Sequence, residues 1–166
     1  PWTFTSTAND GGVNYNAANA VVTGGDDQVS VNTDTYIEQA FTVLTGPEEI
    51  SFSWSYFSLD AATYDGAYWE LVDSVTGNSV VGGRIILSDT SGGVGTVTRT
   101  FPGLGDYILR LGTFSEDNLF DPGVSTFDDV SVTGSVMIGD RFIRGDVNDD
   151  MATNLPDVIV LLGYLF

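Results

Sequence analysis

The stretch "EISFSWSYF", Glu49–Phe57, decides the fold. Ile50, Phe52, Trp54 and Tyr56 alternate with Ser51, Ser53 and Ser55. A period of two sends successive side chains to opposite faces, so the stretch reads as a strand with one apolar face and one small polar face. The same pattern recurs on both sides. "YIEQAFTV" (36–43) sets Ile37, Phe41 and Val43 on one face, and "DYILRLG" (106–112) sets Tyr107, Leu109 and Leu111 opposite Arg110. "AYWELVD" (67–73), "RIIL" (84–87), "VTRTF" (97–101) and "FDDVSVTG" (127–134) add further strands, with shorter candidates at Trp2–Ser6, Ala20–Thr23 and Gln28–Val31. Turn signals separate them, among them Gly24-Gly25-Asp26-Asp27, Thr45-Gly46-Pro47 and Ser91-Gly92-Gly93. Many short strands punctuated in this way predict a mostly β chain. Its expected body is an antiparallel β-sandwich of the jelly-roll kind over residues 1–137.

Composition narrows the function classes. A chain of 166 residues can bury one full core and carry a small appendage. Hydrophobic residues make up 42% and charged residues 17%, a globular balance. The net charge is −18 and all five basic residues are arginines. Such a surface repels phosphates and anionic lipid, which argues against nucleic acid as a partner. It suits divalent cations and neutral ligands. No apolar run reaches the ~20 residues of a membrane span. The start at Pro1, with no signal peptide, is expected of a processed form or an excised piece. Cysteine and histidine are absent, which removes thiol chemistry, the usual transition-metal ligand and a serine–histidine triad. A glycosidase needs two carboxylates at a set separation, and no spacing among Glu48, Glu49, Asp60, Asp65, Glu70 and Glu116 singles out a pair. The chain is expected not to be an enzyme.

"GDVNDDMATNLPD", Gly145–Asp157, carries the most specific spacing. With Asp146 as position 1 of a twelve-residue loop, Asn148, Asp150, Asn154 and Asp157 fall at positions 3, 5, 9 and 12. Ala152 at position 7 would offer its carbonyl. This set wraps oxygen donors around one calcium ion. Pro156 suits the first turn of an exiting helix, and "VIVLLGYLF" (158–166) is apolar or tyrosine at every position but Gly163. A helix apolar all round belongs in a core, so Val158, Leu161, Leu162, Leu165 and Phe166 are expected to dock against something. The candidates are the chain's own sandwich, the same helix of a second copy, a further repeat of the same kind or a foreign partner.

Two weaker clusters remain. In "FSEDNLFDPGVSTFDD" (114–129), Asp117, Asp121 and Asp128 form a candidate second metal site. Strict alternation puts Asp128 with Val130 and Val132 on the core side, where a carboxylate must be paired or metal-bound. Tyr15, Tyr64, Trp69 and Phe114 sit near loops or strand ends. Tyr64, Trp69 and Phe114 are candidate ligand-binding residues, since aromatic rings are the usual platform for sugars, although tyrosine and tryptophan also fill sandwich cores.

The strands "GDYILRLGTFSEDN" (105–118) and "STFDDVSVTG" (125–134) resemble those of extracellular jelly-roll modules of the carbohydrate-binding and adhesion type. "RGDVNDDMATNLPDVIVLLGYLF" (144–166) resembles one repeat of a type I dockerin, with Met151 where glycine is usual and one repeat where two are usual. Together the resemblances imply a secreted or cell-surface location. They imply a non-catalytic, calcium-binding module of a larger protein, with residues 138–166 serving assembly through a cohesin-like or self partner. The alternatives are a carbohydrate-binding module proper, recognising neutral glycans, and an accessory fragment of a glycoside hydrolase.

Overall fold

The computed structural model describes residues 2–16, 19–25, 32–44, 48–59, 64–101, 103–116, 122–133 and 136–137. They form eleven strands: β1 Thr3–Ser6, β2 Gly12–Tyr15, β3 Asn19–Thr23, β4 Thr33–Val43, β5 Glu48–Phe57, β6 Asp65–Asp73, β7 Ile85–Ser88, β8 Val94–Phe101, β9 Gly105–Ser115, β10 Val124–Thr133 and β11 Val136–Met137. Every pairing is antiparallel. Sheet one runs β1-β4-β9-β6-β7, with β11 added to β4 beyond β1, and sheet two runs β2-β3-β10-β5-β8.

The alternation read from the sequence fills the space between the sheets. Sheet two contributes Val22, Ile50, Phe52 and Phe127, and sheet one contributes Ile37, Trp69, Leu71, Leu109 and Leu111, all nearly inaccessible to solvent. Phe52 meets Trp69 edge-on at 5.7 Å and Phe127 at 6.2 Å, while Phe41, Phe101 and Tyr107 cluster at the other end of the core. Edge-on pairs of this kind add ~0.5–1.5 kcal/mol each beyond the area they bury. Polar contacts at Thr113 tie the layers together: its buried hydroxyl on β9 is 2.6 Å from that of Ser125 on β10 and 3.3 Å from the Val22 carbonyl on β3.

Three expectations change. Trp69 is 2% exposed against Phe52, so it is a core residue and not a ligand platform. Asp128 does not share a face with Val130 and Val132. The register of β10 on β5 shifts between Asp128 and Ser131, and Asp129 takes φ 52°. This bulge absorbs one residue and inverts the parity. Ser125 and Phe127 therefore point inward before it, and Val130 and Val132 pack on the core after it. β2 and β11 were not expected; each is short and lacks alternating hydrophobics. The candidate strand Gln28–Val31 and residues 138–166 lie outside the described residues.

Candidate functional site

The two sheets present chemically different faces to solvent. On sheet two, Ser51, Ser53 and Ser55 stand beside Thr98, Thr96 and Val94 of β8 and beside Ser131, Asp128 and Thr126 of β10. Most are short hydroxyls of the kind expected on a solvated sheet, and Ser51 and Ser131 hydrogen-bond each other at 2.8 Å.

Sheet one is different. Thr35 and Ile37, Trp69 and Leu71, and Leu109, Leu111 and Thr113 are all buried in the core. Their intervening neighbours therefore form the outer face, in three rows set by the register. One row is Asp34–Phe114–Gly66, the next Tyr36–Gly112–Tyr68 and the third Glu38–Arg110–Glu70. The glycines matter because the rings lie against them. A Cβ on Gly112 would sit 2.7 Å from two carbons of the Tyr68 ring, and one on Gly66 would sit 2.5 Å from the Phe114 ring.

Arg84, just ahead of β7, covers this aromatic floor. Its guanidinium lies 4.1 Å from the Tyr68 ring centre and 5.9 Å from that of Phe114. It also pairs with Asp34 at 2.5 Å. Under this cover Tyr68 is only 2% exposed and Phe114 7%. Burial pushes the Tyr68 phenol well above its usual range, the Asp34 carboxylate pushes the same way and Arg84 pulls back. Tyr68 thus stays a neutral hydroxyl. In the next row Arg110 donates to Glu38 at 2.9 Å, reaches Glu70 at 3.5 Å and lies 5.4 Å from the Tyr36 ring centre. Burial works against the Arg110 charge, but the hydrogen bond and charge of Glu38, with further help from Tyr36 and Glu70, raise its pKa overall.

Two cavities flank Arg84. One of about 290 Å³ is lined by Arg84, Ile86, Asp89, Phe114 and Glu116. The other, of about 130 Å³, adds Asn32, Thr33, Asp34 and Ser115. Tyr64, 46% exposed, adjoins them, since the Glu116 N–H donates to its carbonyl at 2.6 Å. The structure thus brings Phe114 and Tyr64 to one end of sheet one and takes Trp69 away. Tyr36, Tyr68, Arg84 and Arg110 were not singled out by sequence. The available signal was glycine inside strand patterns, at Gly66 and Gly112, which marks close approach of another group.

A separate cleft of about 250 Å³ opens between the sheets at the β2 edge, with Trp2, Tyr15, Asn16, Asn19 and Asp128 around it. Beside it an apolar gap of similar size runs along Trp2, Phe41, Leu109, Val130 and Val132. The gap opens beside the part of β4 between Glu38, where its pairing with β1 stops, and Thr42, where its pairing with β11 begins.

Of the candidate second metal site, Asp117 and Asp121 lie outside the described residues, as does the whole of the Asp146–Asp157 loop with its docking helix. Among the described residues no three Asp, Glu, His or Cys side chains gather closely enough to hold a metal.

No protein-family model matches this sequence, and no curated protein matches it. Solved structures with a similar fold exist. The module TmCBM61, solved in complex with β-1,4-galactotriose, is 10% identical over 80% of this chain and 88% of its own, with a TM-score of 0.50. A structure described as showing the promiscuous specificity of carbohydrate-binding modules from the β-sandwich superfamily is 11% identical over 80% of this chain and 57% of its own, at 0.52. The carbohydrate-binding module CBM36, in complex with calcium and xylotriose, is 16% identical over 78% of this chain and 99% of its own, at 0.35. At these identities the likeness to the first two defines a fold class alone: a two-sheet antiparallel β-sandwich of the kind found in carbohydrate-binding modules.

Proposed function

We propose that this chain is a non-catalytic glycan-binding module that takes neutral oligosaccharides across the outer face of sheet one. One observation carries the reading. On the outer face of sheet one, half-buried Tyr36 stands in rows with Arg110, Asp34, Glu38 and Glu70, beside Tyr68 and Phe114 packed beneath Arg84, where the opposite sheet carries mainly hydroxyls. Sugar rings have apolar C–H faces that stack on aromatic rings, and hydroxyls that bridge carboxylate and guanidinium groups. Arg84 and Arg110 are fixed by their carboxylate partners, so the polar groups are already placed when a ligand arrives. The charge of −18 favours a neutral ligand over an acidic one. Glu38 and Glu70 are held on a single guanidinium, which suits hydrogen-bond acceptors better than an acid–base pair.

The further parts of the reading rest on sequence. The spacing of Asp146, Asn148, Asp150, Asn154 and Asp157 supports a calcium loop, and the apolar 158–166 stretch supports a docking role for the tail. A secreted or cell-surface protein is the natural parent for such a module.

Calorimetric titration with β-1,4-linked gluco-, galacto- and xylo-oligosaccharides tests the function. At least one should bind the wild type and bind Tyr36→Ala and Arg84→Ala more weakly. Absence of binding to all three series, equal affinity in both variants, or release of shorter sugars from the ligand would overturn it.

A further inference from the structure

We infer that the apolar gap beside β4 is the docking slot for the chain's own segment Ile138–Arg141, which extends β11 and closes the sandwich there. The docking does not depend on what sheet one binds.

The core is open at this gap among the described residues. Before the β10 bulge, Ser125 and Phe127 are buried, at 0% and 1% exposure. After it, Val130 and Val132 pack on the core yet stay half-buried, and so does Trp2 ahead of β1. With Phe41 and Leu109 they line an opening of about 250 Å³. Apolar surface left at the mouth of a core gains from any apolar side chain that covers it. The backbone is open at the same place. β4 pairs with β9 along its whole length. On its other side, Gln39, Ala40 and Phe41 face no strand among the described residues, because β1 reaches only Glu38 and β11 only Thr42. An open stretch of sheet edge is a template for a further strand.

The existing register names the occupant. Met137 pairs with Thr42 and β11 runs antiparallel to β4, so the chain leaves β11 in the direction of Phe41. Continuing that register sets Ile138 opposite Phe41, Gly139 opposite Ala40 and Asp140 opposite Gln39. Arg141 then reaches Glu38, where Thr3 of β1 holds the edge and ends the extension. Cross-strand partners share a face of the sheet. Phe41 is buried and Ala40 exposed, so the inward place falls to an isoleucine and the outward one to a glycine. Gln39 carries amide N–H donors for the Asp140 carboxylate, and a base comes to lie beside an acid at Arg141 and Glu38. Four successive positions thus match in size, polarity or charge. A strand of a second copy would have to displace a segment already tethered at Met137, whose effective concentration at the slot is on the order of millimolar.

The docking fixes where the tail starts. Asp146, which opens the proposed calcium loop, is five residues past Arg141 and so stays within roughly 18 Å of Glu38. Whatever the tail binds is then held at the rim of sheet one and not on a free tether.

The chain has no cysteine, so an introduced pair reports on itself alone. In the full chain, Ala40→Cys with Gly139→Cys should lose both thiols on mild oxidation while the protein stays monomeric. Directly opposite residues are about 4.5–5.5 Å apart between Cα atoms, within disulfide range. Ala40→Cys with Arg141→Cys is displaced by two residues, to about 7–8 Å, and should keep its thiols. Ala40 is exposed, so both pairs leave the core intact. By NMR, the Trp2 indole resonance should shift in Ile138→Ala and hold its place in Ile143→Ala. The inference is overturned if the first pair keeps its thiols or the displaced pair oxidises as readily. A link between two chains, or a Trp2 resonance indifferent to Ile138→Ala, would overturn it as well.

Discussion

The ring of Tyr68 lies between the backbone of Gly112 beneath it and the guanidinium of Arg84 above it. A methyl group on Gly112 would approach two ring carbons to 2.7 Å, and the guanidinium carbon is 4.1 Å from the ring centre. A sheet that exposed this ring to water would gain nothing from the missing side chain at residue 112. The arrangement makes sense as a floor.

Gly112→Ala should therefore be costly although alanine suits a strand better than glycine does. The added carbon meets the Tyr68 ring and, at 2.8 Å, the Thr35 carbonyl. Overpacking of this kind costs ~1–3 kcal/mol. Urea unfolding should show a lower midpoint at unchanged slope, and Tyr68→Ala in the same background should recover part of the loss.

Arg84→Lys should behave more like Arg84→Ala than like the wild type in oligosaccharide binding. A lysine keeps the charge but neither the planar stacking on Tyr68 nor the fork that reaches Asp34. Each replacement should weaken binding by about tenfold, roughly 1.4 kcal/mol. Full affinity in Arg84→Lys would show that charge alone suffices.

Alkaline pH should unfold the sandwich through Tyr68. Its phenol is held above the ordinary value near 10 by burial first and by Asp34 second. The folded state thus holds this proton more tightly than the unfolded chain does. The stabilisation is complete below about pH 10 and is lost as pH rises from there toward the folded pKa. Ultraviolet titration should show one tyrosine ionising late and together with loss of near-ultraviolet dichroism. Tyr68→Phe should remove that late step.

The buried Thr113–Ser125 contact between sheets predicts strong coupling. Thr113→Val leaves the Ser125 hydroxyl without its partner in the core, at about 1–3 kcal/mol. Adding Ser125→Ala should cost less than the sum of the two single changes, as a double-mutant cycle in denaturant would show.

Calcium should act on the tail and not on the sandwich. Trp2, Trp54 and Trp69 all precede the Asp146–Asp157 loop, so a chelator should leave their near-ultraviolet signals unchanged. Asp150→Ala should lose the calcium heat seen in calorimetry. At about 100 times Kd the ion should stabilise whatever it orders by ~2.7 kcal/mol. Equal heats from wild type and variant would reject the loop.

The sequence by itself determined the strands and the inner face of most of them. Ile50, Phe52, Tyr107, Leu109 and Leu111 fell where alternation put them, because burial of one sheet face is written locally with a period of two. It also marked the acidic tail spacing, which no described residue addresses. Tertiary structure decided the rest. Parity is a local quantity only while a strand is regular, so the bulge at Asp129 moved Asp128 off the core side with no warning from composition. Tyr68 and Trp69 are adjacent aromatic residues, and nothing within "AYWELVD" says that the tryptophan enters the core between the sheets while the tyrosine takes the outer side of sheet one beneath Arg84. That choice follows from which side of β6 meets Phe52. The outer row Tyr36–Gly112–Tyr68 joins residues from three strands that are far apart in the chain. Its chemistry depends on cross-strand register, which is set by the packing of the whole sandwich and leaves no trace in any one stretch of sequence.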